Sequence, residues 1–274
     1  MADLWGEELA REWKRFHPPS RPSKSELTIY ERYIKALSKE SVSLLMGSTP
    51  DIRDMFAREQ KKVYVADWSK HNYNSLKYLM KEKNIENEVF VNQDWRSMTF
   101  DIKFDFIIGD LALLVLTRKD SIKVIERISS CLKNDAKTIQ RMWTRNHTKP
   151  HSLDRIIQSY RSKPPGEDLF SWLELPLLFH IYDYEKEECT AQYCYEVLVE
   201  YTKQNKIPKD ILEIFEPFKH LNPPLNIPLK NQFEKSLEAY FNIEKIEYGK
   251  DCFAVNAPIY ILKNIKVLLI PGSA

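Results

Sequence analysis

The chain is poor in glycine, with 6 in 274 residues. That scarcity excludes a collagen-like fibre and argues against a linker-rich architecture. An excess of one charge is missing too. Lys and Arg number 41 and Asp and Glu 39, a formal net charge of +2. Such a chain is no global magnet for nucleic acid, although a local patch stays open to it. No apolar run approaches the roughly 20 residues that span a bilayer. The opening Met1–Glu8 stretch carries acids where a secretory signal would carry a basic and then an apolar region. Cysteine is sparse. Cys131, Cys189, Cys194 and Cys252 form no C-x-x-C pair, so buried reduced thiols are expected rather than metal ligands. A globular, cytoplasmic protein is the expectation. Its 43% hydrophobic and 29% charged residues are enough to build a sizeable core.

What the sequence does hold is rhythm. Trp5, Leu9, Trp13 and Phe16 share one helical face. The following His17-Pro18-Pro19-Ser20-Arg21-Pro22-Ser23 ends that helix, because proline lacks an N–H and restricts its predecessor. A second helix is expected over 24–38. Ser41–Met46 is then a short apolar run stopping at Gly47, and Ser48-Thr49-Pro50-Asp51 opens a helix with Pro50 at its first position. Val63–Asp67, Glu88–Asn92 and Phe104–Asp110 repeat the strand pattern, with helices over 73–83 and 119–132 and a fifth strand over 137–143. Apolar strands alternating with helices predict a parallel sheet covered on both faces. From 144 to 235 the rhythm gives way to proline-punctuated helical segments. Strands return at Phe241–Ile246 and Phe253–Leu262, and the turn Tyr248-Gly249-Lys250-Asp251 between them suits an antiparallel pair.

Ligands of such sheets sit at the carboxyl ends of the strands. Gly47, Asp67, Asp94, Gly109 and Asp110 stand at those ends. Gly47 admits a ligand close to the backbone, and the helix after it offers unpaired N–H groups to an anion. Asp67, followed by Trp68 and Ser69, stands where an acid accepts from ribose hydroxyls. Asp94 can accept from an adenine amino group while Trp95 offers an aromatic face. Gly109 and Asp110 would face the reacting end. The turn holds one glycine, so the G-x-G-x-x-G of a dinucleotide site is absent, and no G-x-x-x-x-G-K-[ST] occurs anywhere.

These strings, in this order, resemble a class I S-adenosylmethionine-dependent methyltransferase. Leu44-Leu45-Met46-Gly47-Ser48-Thr49-Pro50-Asp51 is similar to a variant of the family's first motif, with Thr-Pro-acid in place of later glycines. Val65-Ala66-Asp67-Trp68-Ser69, Asn92-Gln93-Asp94-Trp95 and Phe104–Asp110 resemble its second, third and fourth motifs, and the late strand pair resembles its last two strands. The likeness covers residues 40–143 and 240–263. It implies a Rossmann-like α/β sheet, mostly parallel with the last strand antiparallel. It also implies S-adenosylmethionine as cofactor, released as S-adenosylhomocysteine. Gly47, Ser48 and Thr49 would lie near the methionine end, Asp67, Trp68 and Ser69 at the ribose, and Asp94 and Trp95 at the adenine. The domains expected are a helical cap (1–40), the cofactor-binding core (41–143), a helical lid or insertion (144–238) and a C-terminal strand pair (239–274).

The acceptor is less legible. No Asn-Pro-Pro-Tyr or Asp-Pro-Pro-Tyr follows the fourth strand, no Pro-Cys supplies a thiol, and no metal set stands out. The simplest reaction is direct in-line methyl transfer to an oxygen or nitrogen of a small-molecule or peptide acceptor, carboxylate-bearing ones included. Arg21, Arg141 and Arg145 are the candidate carboxylate clamps. His180 belongs to an aromatic run that would line the acceptor pocket, and His147, His151, Asp110 and Tyr182 are the candidate catalytic groups. A homodimer through the insertion, a non-catalytic binding module of the same fold, and a nucleic-acid methyltransferase using the basic 137–163 segment are the competing expectations. The acidic 167–200 segment ranks the last of these lowest.

Overall fold

The computed structural model describes residues 11–265. Seven strands make one sheet: β1 Val42–Met46, β2 Lys62–Asp67, β3 Glu88–Asn92, β4 Phe104–Asp110, β5 Leu132–Arg141, β8 Phe241–Glu247 and β9 Ile259–Asn264. Their order is β3-β2-β1-β4-β5-β9-β8. The first five run parallel, while β9 is antiparallel to both neighbours. Alternate residues of β1 and β4 enter two separate cores. Leu44, Met46 and Ile107 pack on one face, and Leu45, Val65 and Ile108 on the other. Both sets are buried, which is why these strands read as unbroken apolar runs rather than alternating ones.

The connecting helices are α1 Lys24–Lys35, α2 Pro50–Arg58, α3 Lys70–Lys77 and α4 Arg118–Cys131. Each begins where the sequence provides a start signal. Ser23 and Glu26 form a reciprocal capping box on α1, Pro50 opens α2, and Ser69 and Thr117 cap α3 and α4 through their side chains. Residues 144–238, the expected insertion, carry α5 Leu153–Arg161, α6 Leu169–Ile181, α7 Ala191–Lys203, α8 Lys209–Ile214 and α9 Lys230–Glu238, with a two-strand ladder of β6 Cys189–Thr190 and β7 Pro224–Leu225. Helix α6 is apolar nearly all round and buried accordingly.

Four expectations shift, one of them the helix over 73–83, which runs as α3 from Lys70, just after its Ser69 cap, to Lys77. The fifth strand begins at Leu132, but regular pairing with β4 resumes only at Lys137, past a bulge holding Asp135 at φ 60°. The last strand begins at Ile259 rather than Phe253, because Ala254–Asn256 forms a 3-10 turn and Pro258 has no N–H for a ladder. At the N-terminus, Trp13–Arg15 is a 3-10 turn, and Trp5 and Leu9 lie outside the described residues. Among the described residues no helix is long and apolar enough to cross a membrane.

Candidate functional site

The carboxyl ends of β1, β2 and β4 open into a cleft of about 1030 Å3, part of it facing solvent. Gly47 ends β1 at φ +86°, a conformation that L side chains rarely adopt. Its amide donates to the Ala66 carbonyl at 2.9 Å, which fixes the turn against β2. An added Cβ would meet the Trp95 ring at 3.7 Å, ordinary contact. The backbone angle, not crowding, therefore requires glycine here. Trp95 is held over this turn by its own indole N–H, which donates to the Ala66 carbonyl at 2.8 Å.

Asp67 is oriented before any ligand arrives. Ser48 Oγ donates to its Oδ2 at 2.6 Å, and the Ser69 amide donates to its Oδ1 at 3.0 Å. Gly47, Ser48, Thr49, Asp67, Trp68 and Trp95 all line the cleft. Helix α2 stays in place through buried charge. Arg53 is fully buried, lies 2.7 Å from Glu88 and stacks 4.3 Å over the Tyr73 ring.

Other expected contributors stand elsewhere. Ser69 acts from behind, capping α3 and holding Asp67. Asp94 does not line the cleft; Arg96 grips its carboxylate at 2.5 Å, and that hydrogen bond lowers its pKa. Gly109 also stands outside. A Cβ there would come within 2.3 Å of Gln140 Oε1, so this glycine leaves room for the Gln140 side chain of β5.

Asp110 lines the cleft, but its carboxylate is already engaged. Tyr30 donates to it at 2.7 Å and Arg141 Nε at 2.5 Å. Arg141 is fully buried and also donates to Glu26 at 3.1 Å and to the Pro19 carbonyl at 3.0 Å. Burial opposes its charge, yet Asp110 and Glu26 outweigh that and raise its pKa. Burial likewise raises Glu26 and Tyr30. Arg141 thus braces α1 and the segment before it against the sheet, fully buried among these internal partners. Arg145 is also internal. It donates to the Ile227 and His147 carbonyls and pairs with Glu187 at 3.0 Å. The basic segment therefore meets the acidic one inside the protein. Arg21 stands outside the cleft, its charge acting on Asp51.

The histidines gather in the insertion, away from the cleft. Pro150 keeps His147 and His151 off a helix, and their rings sit 4.3 Å apart. Burial, then His147 and His180, lower the pKa of His151. His180 donates from Nδ1 to the His151 carbonyl at 2.7 Å. Tyr182 is buried and its hydroxyl accepts from the Ile227 amide at 3.2 Å. None of these four groups lines the cleft.

The outer half of the cleft was legible only in part: the segment around Trp13 and the Ser20–Ser23 turn read as a cover over the cofactor pocket, and Trp13, Phe16 and Ser20 do line it, while the walls from later segments were missed. Its walls are Phe16, Leu114, Trp143, Phe218, Leu221 and Leu225, with the Ser20 hydroxyl and the unpartnered Trp143 indole N–H as polar groups among them. Ser20 Oγ donates to Glu174 of α6, which is fully buried and has its other oxygen unpartnered. Burial pushes the Glu174 carboxyl up to about 8. A lone acid in Leu169–Ile181 was the available signal, since an apolar helix keeps a carboxyl inside only with a polar partner.

No protein-family model matches the chain and no curated protein matches it in sequence. Solved structures do match. One from Rhodobacter sphaeroides, provisionally described as a zinc-dependent alcohol dehydrogenase, superposes with a TM-score of 0.61 at 14% identity, over 96% of this chain and 98% of that one. The CcbJ methyltransferase of Streptomyces caelestis superposes at 0.61 with 8% identity, over 96% and 98%. The Burkholderia thailandensis 1,6-didemethyltoxoflavin-N1-methyltransferase, holding its substrate and S-adenosylhomocysteine, superposes at 0.52 with 10% identity, over 87% and 78%. The chemistries named for these neighbours differ, and at these identities the likeness is one of fold. The chain has the Rossmann-like fold of class I methyltransferases, with its antiparallel strand set between β5 and β8.

Proposed function

We propose that this protein transfers a methyl group from S-adenosylmethionine to an oxygen or nitrogen of a small-molecule acceptor. One observation carries the reading. Asp67, pre-oriented by Ser48 and Ser69, shares a cleft with the left-handed Gly47 turn and the Trp95 ring, at the carboxyl ends of β1 and β2. A dinucleotide is a poorer fit, because its pyrophosphate needs three glycines in the first turn and this turn has one. The antiparallel β9 also departs from the all-parallel dinucleotide sheet.

The residues present suit the cofactor. Asp67 would accept from the ribose hydroxyls, Trp68 and Trp95 would offer aromatic faces to the adenine, and the Gly47–Thr49 backbone with the N-terminus of α2 would face the methionine end. When bound, the cofactor supplies an electrophilic methyl on a positively charged sulfur. The chain's own residues do the rest by position. Phe16, Trp143 and Phe218 exclude water, and the ordered walls limit the poses an acceptor can take. Among the described residues no Lys, Arg or His lines the cleft, which supports a small acceptor over a nucleic acid.

Calorimetric titration with S-adenosylmethionine tests the reading. Micromolar binding is expected, weakened about ten- to hundredfold in Asp67→Ala by loss of charge-assisted hydrogen bonds. Absence of binding to the unaltered protein would overturn it.

A further inference from the structure

We infer that the acceptor is an uncharged, largely apolar molecule anchored at the hydroxyl of Ser20, backed by Glu174. The inference rests on the methyltransferase reading for the word acceptor, and on the outer cleft alone for the chemistry.

Three observations converge. First, the outer walls are aromatic and aliphatic, with Trp13, Phe16, Leu221 and Leu225 among them. Second, the charged residues lining the cleft are both acids, Asp67 and Asp110. An anionic acceptor would meet no cation, and the three arginines that sequence offered as clamps stand outside, Arg141 and Arg145 buried among internal partners. An anion moved from water into such a cleft loses hydration with nothing to replace it. Third, Ser20 is not an ordinary surface serine. Its hydroxyl bonds a carboxyl that is fully buried and has a second oxygen without any partner.

A buried carboxyl held at about 8 is mostly protonated near neutrality. The Ser20–Glu174 pair then carries no full charge and can turn its shared proton either way. When Glu174 donates to Ser20, the serine proton is free for the ligand. When Ser20 donates to Glu174, the serine oxygen is free to accept. That matches a neutral hydroxyl or amine, which both gives and takes a hydrogen bond. The other groups acting on Glu174 are Arg141 of β5, Asp168 at the start of its own helix and, from α7, Cys194. Asp168 is itself paired with His17 at 2.8 Å.

The test compares 2-naphthol with 2-naphthoate, which share a ring system and differ in charge at neutral pH. Each is titrated calorimetrically into the protein saturated with S-adenosylhomocysteine. The expected result is 2-naphthol binding at least about tenfold tighter than 2-naphthoate, a difference of about 1.4 kcal/mol. Ser20→Ala is expected to weaken 2-naphthol several-fold while leaving unsubstituted naphthalene unchanged, a split that a merely structural role would not give. Val115 lines the cleft and is partly exposed, so Val115→Arg places a cation there and is expected to reverse the preference. Equal or tighter binding of 2-naphthoate to the unaltered protein would overturn the inference, and so would failure of both ligands to bind. The cofactor reading fails separately. If S-adenosylhomocysteine does not bind but the unloaded protein still prefers 2-naphthol, the methyltransferase reading falls and the chemistry of the cleft stands.

Discussion

Glu174 is an acid set into a helix that otherwise reads Leu-Phe-Ser-Trp-Leu before it and Leu-Pro-Leu-Leu-Phe after it. Its folded carboxyl titrates near 8 against an ordinary value of 4.5, with burial the main cause. Between those values the folded chain holds a proton that the unfolded chain has released. The stability this group contributes is therefore complete below about 4.5 and lost as pH rises through about 8. Thermal melts from pH 5 to 9 should show the unaltered protein losing stability faster than Glu174→Gln. Parallel curves would show that the buried carboxyl does not titrate in this range. This group was legible in sequence only as an anomaly. Asp67 and Gly47 were legible because strand ends and turns are local facts. Arg141 was not, because its partners at 19, 26 and 110 come from distant segments, and a sequence gives no hint that an arginine after an apolar strand is fully enclosed.

At the scale of elements, α1 is bolted to the sheet by that arginine. Glu26 from α1, Asp110 from the end of β4 and Arg141 from the end of β5 meet with no solvent between them. Removing one member of such a cluster leaves the others buried without compensation. Arg141→Met should therefore lower the unfolding free energy by about 3–5 kcal/mol, read by urea titration. An unchanged denaturation midpoint would mean the guanidinium is not braced as described. The helices and parallel strands were readable from periodicity and caps because both depend on near neighbours. The sequence reading failed where a long-range partner decides the element. The start of β5 is set by register with Phe104, and the start of β9 by Pro258 and the preceding turn.

For the whole molecule, the cleft joins the sheet ends, the segment before α1 and the insertion, so one ligand would contact all three. A ligand that binds only the folded state stabilises by mass action, by about 2.7 kcal/mol at a hundredfold excess over its Kd. For a chain of this size that corresponds to a rise in Tm of roughly 5–10 °C. Saturating S-adenosylhomocysteine should produce such a shift in the unaltered protein and a smaller one in Asp67→Ala. A shift of equal size in both would place the ligand elsewhere. The order of the sheet was legible only as a family pattern, since pairing between strands far apart leaves no local trace.

The antiparallel strand has a consequence for how the chain is made. Strand β5 ends at Arg141, but the neighbour that completes it, β9, begins only at Ile259. During synthesis the ribosome delivers the entire insertion while one side of β5 still has unpaired N–H and C=O groups. An open edge of this kind is a template for the wrong partner. Nascent chains halted after the insertion and before β9 should therefore associate with one another, or occupy chaperones, more than chains released at full length.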